Sequence, residues 1–508
     1  MWQRYTLYDL RVIAHYLGDL ILLLAAVLVV PFATAIVFQE WQPAVHYLYA
    51  IGISLIVGSL LCFVCVSPGQ LKRQQALAVT GLAWVVLALI GAIPLFLSGH
   101  YVSYLDALFE AVSGFTSTGA TVVTDLDHLS YADNMWRFAM HFVGGIGLIV
   151  VLLSLGMGGS GATSMYSSEG RNEHVLPNIV QTARLILRIS VLMVLVFGAL
   201  IAVWCLIAGM EPVRATLHGF WLAITGFMTA GFTPGNANVY GYHSVPLELT
   251  LMTLMLLGGL NFALYAALWK GRSSDVFADS EVRSIFVWLT LLVVVIAISL
   301  ADSAQFSQGA AIVRRGLFML FSAASTTGLM VVTENQLTTA FPSGAFLVLA
   351  IAMSIGLAQG STAGGIKVNR VSTIARSVVA TVKQAASVNT AVIVSKYYHV
   401  GKRVLSSAEI KEAMTIFSLF IAVYAIGTLA AIANGYEATA AIFDSVAMAS
   451  NGGLTSGIVT SGMPMGLEFL YILMMWAGRL EFVALFALVA KGVVSIREGV
   501  RKLRRDAE

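Results

Sequence analysis

Stretches of about twenty consecutive apolar residues, the length that crosses the hydrocarbon core of a bilayer, recur from one end of this 508-residue chain to the other. A bilayer core holds no water to satisfy backbone polar groups, so such a chain must fold as membrane-spanning helices that pair those groups internally. Composition agrees: 58% of the residues are hydrophobic and only 11% are charged, against about 25% charged in soluble domains. No stretch of ordinary soluble-domain size is left over. The first run, around residues 17–38, is longer than a signal-peptide core and lacks a small-x-small cleavage pattern, so it reads as a retained helix. Cys62, Cys65 and Cys205 all sit in apolar runs, and the C-x-x-C formed by the first two reads as buried packing.

Charge fixes the topology. Most of the 29 lysines and arginines fall at the N-terminus or in five blocks: Lys72 and Arg73; Arg171, Arg184 and Arg188; Lys270, Arg272 and Arg283; Lys367 to Lys411; and Lys491 to Arg505. By the positive-inside rule these segments face the cytoplasm. The loops between them carry acids such as Asp125, Asp127 and Asp133. Each interval must therefore leave and return, with an even number of crossings. The first fits a two-helix hairpin. The other four each hold two apolar spans with a shorter, glycine-ended amphipathic segment between them.

Those short segments read DALFEAVSGFTSTGAT (106–121), GFWLAITGFMTAGFT (219–233), GLFMLFSAASTTGLM (316–330) and AIFDSVAMASNGGLT (441–455). Aligned on Gly119, Gly231, Gly328 and Gly453, each has an aromatic ten residues earlier: Phe109, Trp221, Phe318 and Phe443. The units recur roughly every hundred residues, which makes them copies of one span, short helix, loop, span repeat. A helix of ten to twelve residues cannot cross a bilayer, so each must enter and turn back, enclosed by protein or lining a watery cavity. Any single T-x-G tripeptide fits ordinary helix packing; four copies at one offset point to a shared site. Glycine after a half-helix lets the chain aim carbonyls inward, and a ring of carbonyls replaces the water shell of a cation. The negative ends of the half-helix dipoles would face the same axis.

A second glycine-rich stretch, Gln359-Gly-Ser-Thr-Ala-Gly-Gly-Ile-Lys367, imitates a phosphate-binding loop. It is not one, because Ile366 separates Gly365 from Lys367 and Val368 stands where a hydroxyl is needed. It follows the apolar span 341–357 and precedes the longest basic block. Its glycines read as a hinge able to cross the axis beneath the loops. Lys367 reads as an anchor at the membrane surface. The segment from Lys367 to Lys411 reads as a cytoplasmic helical hairpin with solvated or lipid-facing charge.

SGFTSTGAT (113–121), GFMTAGFT (226–233) and GSTAGGIK (360–367) together resemble the superfamily of Trk, Ktr and HKT potassium transporters, and the additional hairpin before residue 70 resembles its TrkH branch. The resemblance runs from about residue 75 to the end. It implies an all-α membrane fold of about ten spanning helices around a pore with pseudo-fourfold symmetry. The units would be 1–70 (hairpin), 71–170, 171–272, 273–405 with the gating loop, and 406–508 with a basic tail. It implies potassium-binding filter residues Thr118, Gly119, Ala230, Gly231, Thr327, Gly328, Gly452 and Gly453, flanked by Ser117, Thr229, Thr326 and Asn451. Four central glycines go with potassium preference in this superfamily. Gly452 directly before Gly453 leaves two registers open in the fourth loop. The gate would be Gly360, Ser361, Thr362, Ala363, Gly364 and Gly365 with Lys367 and Arg479. The resemblance also implies a bacterial inner-membrane homodimer regulated by a cytosolic TrkA-type ring, with K+ the transported ion, nucleotide held only by the partner, and no nucleic acid.

Arg479 and Glu481 fall inside the last apolar run, 467–489, where charge is costly. They read either as an interhelical ion pair or, with Arg479 in the pore beneath the filter, as an electrostatic barrier. His141, alone in an apolar run, reads as interfacial packing. No nucleophile with a nearby base and no metal-ligand spacing points to an enzyme. A channel-like potassium pore is the leading reading, and an ion-coupled secondary potassium symporter the alternative. Inverted repeats would favour the symporter; these units begin and end on the same side.

Overall fold

The computed structural model describes residues 5–64, 71–154, 178–301, 312–388, 394–399, 401–482, 485–486, 488–492 and 494. Cys65 and the basic tail beyond residue 494 lie outside these. The chain opens with two long helices, Leu7–Val37 and Trp41–Phe63. Thr6 and Asp9 form a reciprocal capping box at the start of the first. The two helices touch backbone to backbone: a Cβ on Gly18 would lie 2.7 Å from the Gly58 carbonyl oxygen. Small residues allow that approach.

The hairpin is fastened to the first unit by polar contacts at the outer side. Glu40 accepts hydrogen bonds from the backbone amides of Tyr131 (2.8 Å) and Ala132 (3.0 Å), the first turn of the next returning helix. A carboxylate there meets the positive end of the helix dipole. Tyr47 donates to Asp133 at 2.7 Å, in a buried pair.

Four units then repeat one plan. The entering helices are Arg73–Leu97, Ile179–Ile207, Ser280–Ala301 and Ser407–Ala433. The half-helices are Tyr104–Phe115, Pro212–Phe227, Leu317–Ala324 and Ala438–Ala449. At 8 to 16 residues, and 1.5 Å per residue, they are too short to cross a bilayer. Their aromatics Phe109, Trp221, Phe318 and Phe443 are all buried. The returning helices are Tyr131–Ile146, Val245–Gly258, Ser343–Ile355 and Met465–Arg479.

Among the described residues six helices are long and apolar enough to cross a membrane, or seven if the pair Val245–Gly258 and Phe262–Trp269, bent by 94°, counts as one span. The six are the hairpin and the four entering helices. Each returning helix is instead interrupted, at Gly147, at 259–261, at 356–367 and at 480–482. Interrupted backbone at membrane depth is tolerated only inside protein or beside a watery cavity, so the four breaks mark one enclosed level.

The segment after the third break departs from the expected helical hairpin. Val368–Ala385 is an amphipathic helix, but Lys396–Tyr398 then pairs antiparallel with Lys402–Val404. Tyr397, Tyr398 and Val404 favour pleated backbone, and Gly401 supplies the turn, so local β preference overrides a helix here.

Candidate ion-conducting site

The four half-helices end in the same way. Ser117, Thr229, Thr326 and Asn451 are left-handed, with φ of +55°, +49°, +54° and +55°. The amides one residue later reach back to the last turn: Thr118 to Ser113 (2.9 Å), Ala230 to Thr225 (3.0 Å), Thr327 to Ser322 (2.8 Å) and Gly452 to Ala447 (2.7 Å). This is a Schellman terminus, which normally has glycine at its left-handed position. A β-branched threonine there, twice, is a local cost of about 1–3 kcal/mol that the surroundings must enforce. The chain becomes left-handed again two residues on, at Gly119, Gly231, Gly328 and Gly453 (φ +80°, +91°, +88° and +63°). The shared offset puts Asn451-Gly452-Gly453 in the same register as the other three loops.

Each second glycine abuts the next unit. A Cβ on Gly119 would lie 2.0 Å from the Ala230 oxygen, on Gly231 2.6 Å from Thr327 O, on Gly328 2.9 Å from Gly452 O, and on Gly453 2.0 Å from Thr118 O. The contacts run from unit one to two, three, four and back to one. Four loops separated by most of the chain thus close a ring, with the carbonyl-bearing residues Thr118, Ala230, Thr327 and Gly452 buried at its centre. The half-helix carboxyl ends converge on it and bias it toward cations.

Side chains hold the outer part of each loop. Ser113 donates to Ala120 O (2.6 Å), and Thr225, at the equivalent position, to Phe232 O (2.8 Å). Glu110 accepts from Thr121 (2.9 Å) and the Val122 amide (3.3 Å). Asp444, its counterpart in the fourth unit, accepts from Thr455 (3.1 Å) and the Ser456 amide (2.7 Å). Arg137 joins units one and two: Nε donates to Glu110 at 2.8 Å, Nη1 to Thr233 O at 3.0 Å, and the guanidinium lies 4.2 Å from the Phe232 ring centre. His141 belongs to this joint, stacked on Phe232 at 4.1 Å and fully buried. It is therefore a packing residue between units.

Beneath the ring, the breaks in the returning helices make room for it. Gly144, Gly258 and Gly478 press on the last residues of three half-helices: a Cβ on each would lie 1.9, 2.1 and 1.9 Å from the carbonyls of Phe115, Phe227 and Ala449. In the third unit residues 356–367 form a loop running under the other units. Its backbone bonds to the second unit through Ala358 N to Gly259 O (3.1 Å) and Thr362 N to Gly258 O (3.2 Å). Thr362 Oγ1 lies 2.9 Å from Phe227 O and 3.2 Å from Thr229 Oγ1. The Gly364 amide donates to Thr326 Oγ1 at 2.6 Å, and a Cβ on Gly364 would meet Ser450 O at 2.0 Å. Asn451 Nδ2 reaches Thr118 Oγ1 at 3.0 Å.

Arg479 lies against this loop, donating to Thr362 O (3.3 Å) and to the carbonyls of Gly144 and Gly145. Its neighbour Glu481 is not its ion-pair partner; Glu481 takes Arg370 in a bidentate pair at 2.5 and 3.0 Å. A cavity of about 60 Å³ remains between the loop, Trp84, Asn451 and Arg479. Lys367 corrects the expectation of a surface anchor. It is 6% exposed, and its ammonium turns back onto the Ala363 carbonyl. The side chain is thus a part of the glycine loop's own packing.

The structure thus sets Thr118, Ala230, Thr327 and Gly452 with their following glycines in one ring, and places the loop 360–365, Lys367 and Arg479 beneath it. Sequence reading missed that all four returning helices break, and missed Trp84, Glu110, Arg137 and Arg370, the last being the partner of Glu481. The signals available were the glycine pairs at 144–145 and 258–259 and the charges standing in apolar runs.

Re-entrant half-helices, a closed ring of loops and a glycine loop beneath it define the architecture of a multi-pass ion-transport protein. The family model described as TrkH, cation transport protein, matches residues 46–494, and the chain belongs to that family. It is 28% identical over 493 residues to an uncharacterized cation transporter of Methanocaldococcus jannaschii, covering 96% of this chain and 97% of that one. It is also 28% identical over 490 residues to the Trk system potassium uptake protein TrkH of Escherichia coli strain K12, with 94% and 98% covered. The crystal structure of the potassium transporter TrkH from Vibrio parahaemolyticus shares the fold, with a TM-score of 0.81 at 24% identity over 94% of this chain and 98% of that one.

Proposed function

We propose that this chain takes up potassium across the bacterial inner membrane by a channel-like pore whose filter is the four-loop ring. The observation that carries this reading is the closed circuit of glycine contacts from Gly119 to Gly453 and back to Thr118, which leaves backbone oxygen as the group available to a dehydrating cation. The name of the Escherichia coli relative supports potassium as the ion. K+ binds at Thr118, Gly119, Ala230, Gly231, Thr327, Gly328, Gly452 and Gly453, with Ser117, Thr229, Thr326 and Asn451 beneath them.

The loop from Gly360 to Gly365 is the gate, and Arg479 holds it closed while presenting positive charge to the path. A cytosolic nucleotide-binding ring, docking on the basic face of a homodimer, moves it. Purified protein in liposomes tests the ion and the mode together. Downhill potassium and rubidium flux that exceeds sodium flux is the expected outcome. Uptake in fixed stoichiometry with protons or sodium would replace the pore with the symporter.

Arg479→Ala removes both the charge and the bonds to Thr362, Gly144 and Gly145. Basal potassium flux without any cytosolic partner is expected to rise by roughly tenfold, the equivalent of ~1.4 kcal/mol. Flux equal to that of the unsubstituted protein would remove Arg479 from the gate.

A further inference from the structure

Away from the ring, on the cytoplasmic side, three ligating side chains from distant parts of the chain meet. Asp279 and Glu281 stand at the start of the third entering helix, and His399 lies at the end of the first strand of the hairpin Lys396–Tyr398 and Lys402–Val404. Their side chains are 1%, 1% and 3% exposed. His399 Nδ1 is 3.3 Å from Asp279 Oδ1 and 3.9 Å from Glu281 Oε2. One ligand atom from each residue lies within 4.8 Å of the other two. Ligands bonded at ~2.0–2.2 Å in a tetrahedron are separated by about 3.3–3.6 Å, so the trio needs only a small contraction to hold one ion.

We propose that Asp279, Glu281 and His399 form a binding site for a zinc-class divalent cation that clips the cytoplasmic hairpin to the start of the third unit. One imidazole and two carboxylates are a mixed donor set of the kind that suits such ions, with a fourth position left for water. Surrounding bonds orient each ligand. Asp279 Oδ1 accepts from the Glu281 amide at 2.8 Å, and Glu281 Oε1 from the Gln359 amide at 2.7 Å. The His399 backbone is held by its amide to Gly401 O (2.8 Å) and by Arg403 Nε to its carbonyl (3.1 Å). Such outer contacts are what fix metal ligands in place.

A cavity of about 150 Å³, lined by His399, Gln359, Arg370, Tyr397 and Glu409 among others, reaches the imidazole and gives water and an ion a way in. Arg376, over the Tyr397 ring at 4.8 Å, contributes positive charge near Asp279, and Arg403 lies on the His399 carbonyl, so the two carboxylates are partly offset by neighbouring guanidiniums. Binding replaces the contact between Nδ1 and Asp279 by two bonds to the ion, and any proton on Nδ1 leaves to solvent. The proposal does not depend on the gate reading, although Glu281 would link the ion to Gln359 at the head of the glycine loop.

Full-length protein, purified in detergent and stripped with a chelator, is titrated with zinc chloride, and its metal content is measured after dialysis. One zinc per chain is expected, with a raised melting temperature, and cobalt in its place should give tetrahedral ligand-field bands. His399→Ala and His399→Gln should weaken binding at least ~10-fold. His128→Ala, which removes an exposed histidine paired with Asp125 elsewhere, should leave it unchanged. Folded protein that takes up no zinc, or zinc affinity in both folded His399 variants equal to that of the unsubstituted protein, overturns the site. If neither His399 variant is folded, the cobalt spectrum of the unsubstituted protein decides, and bands of a six-coordinate aquo ion overturn it.

Discussion

Gly119→Ala is expected to abolish potassium uptake, lowering rubidium flux in liposomes by roughly a hundredfold or more while the protein still purifies as a folded species. Two separate costs act at this position. The left-handed φ of +80° strains any residue with a Cβ, and the new methyl would sit 2.0 Å from Ala230 O and 2.4 Å from the Gly231 Cα. Both neighbours are backbone, so no side chain can swing aside, and relief requires the ring to open. Each such strain is worth about 1–3 kcal/mol. Gly99→Ala separates the two costs: its φ is +79° but nothing lies within 4 Å of a Cβ there. That variant should retain nearly full flux. If Gly119→Ala transports normally, the ring is not the ion path.

Arg137→Met is expected to lower stability by about 3–5 kcal/mol, because it leaves the Glu110 carboxylate buried without its cation. Both side chains are 0% exposed, and Arg137 also supplies the bond to Thr233 O across the first and second units. The double variant Glu110→Gln with Arg137→Met should recover much of the loss, since it removes the uncompensated charge. Thermal melting in detergent reads both results. A single variant that melts like the unsubstituted protein would mean that the pair contributes nothing to the joint between units.

The architecture was legible because each of its signals is local. Twenty-residue apolar runs can only span, basic blocks assign sides, and four glycine-ended half-helices share an aromatic at one offset. The glycine loop at 360–365 was legible for the same reason, by failing as a phosphate cradle. The outer clamp was not. Glu110 and Arg137 are 27 positions apart, and neither residue signals that the other will neutralise it. Nor was the partner of Glu481, which stands two positions from Arg479 yet pairs with Arg370, 111 positions away.

By itself the sequence determined that this protein spans the membrane, which segments enter and turn back, and which glycines end them, because hydropathy, charge bias and backbone freedom act over a few turns of chain. The tertiary structure alone decided that the four loops close in chain order, that every returning helix breaks beneath them, and that Lys367 turns inward. Those outcomes depend on backbone approaching backbone across units, where a single Cβ is the difference between a closed ring and a clash.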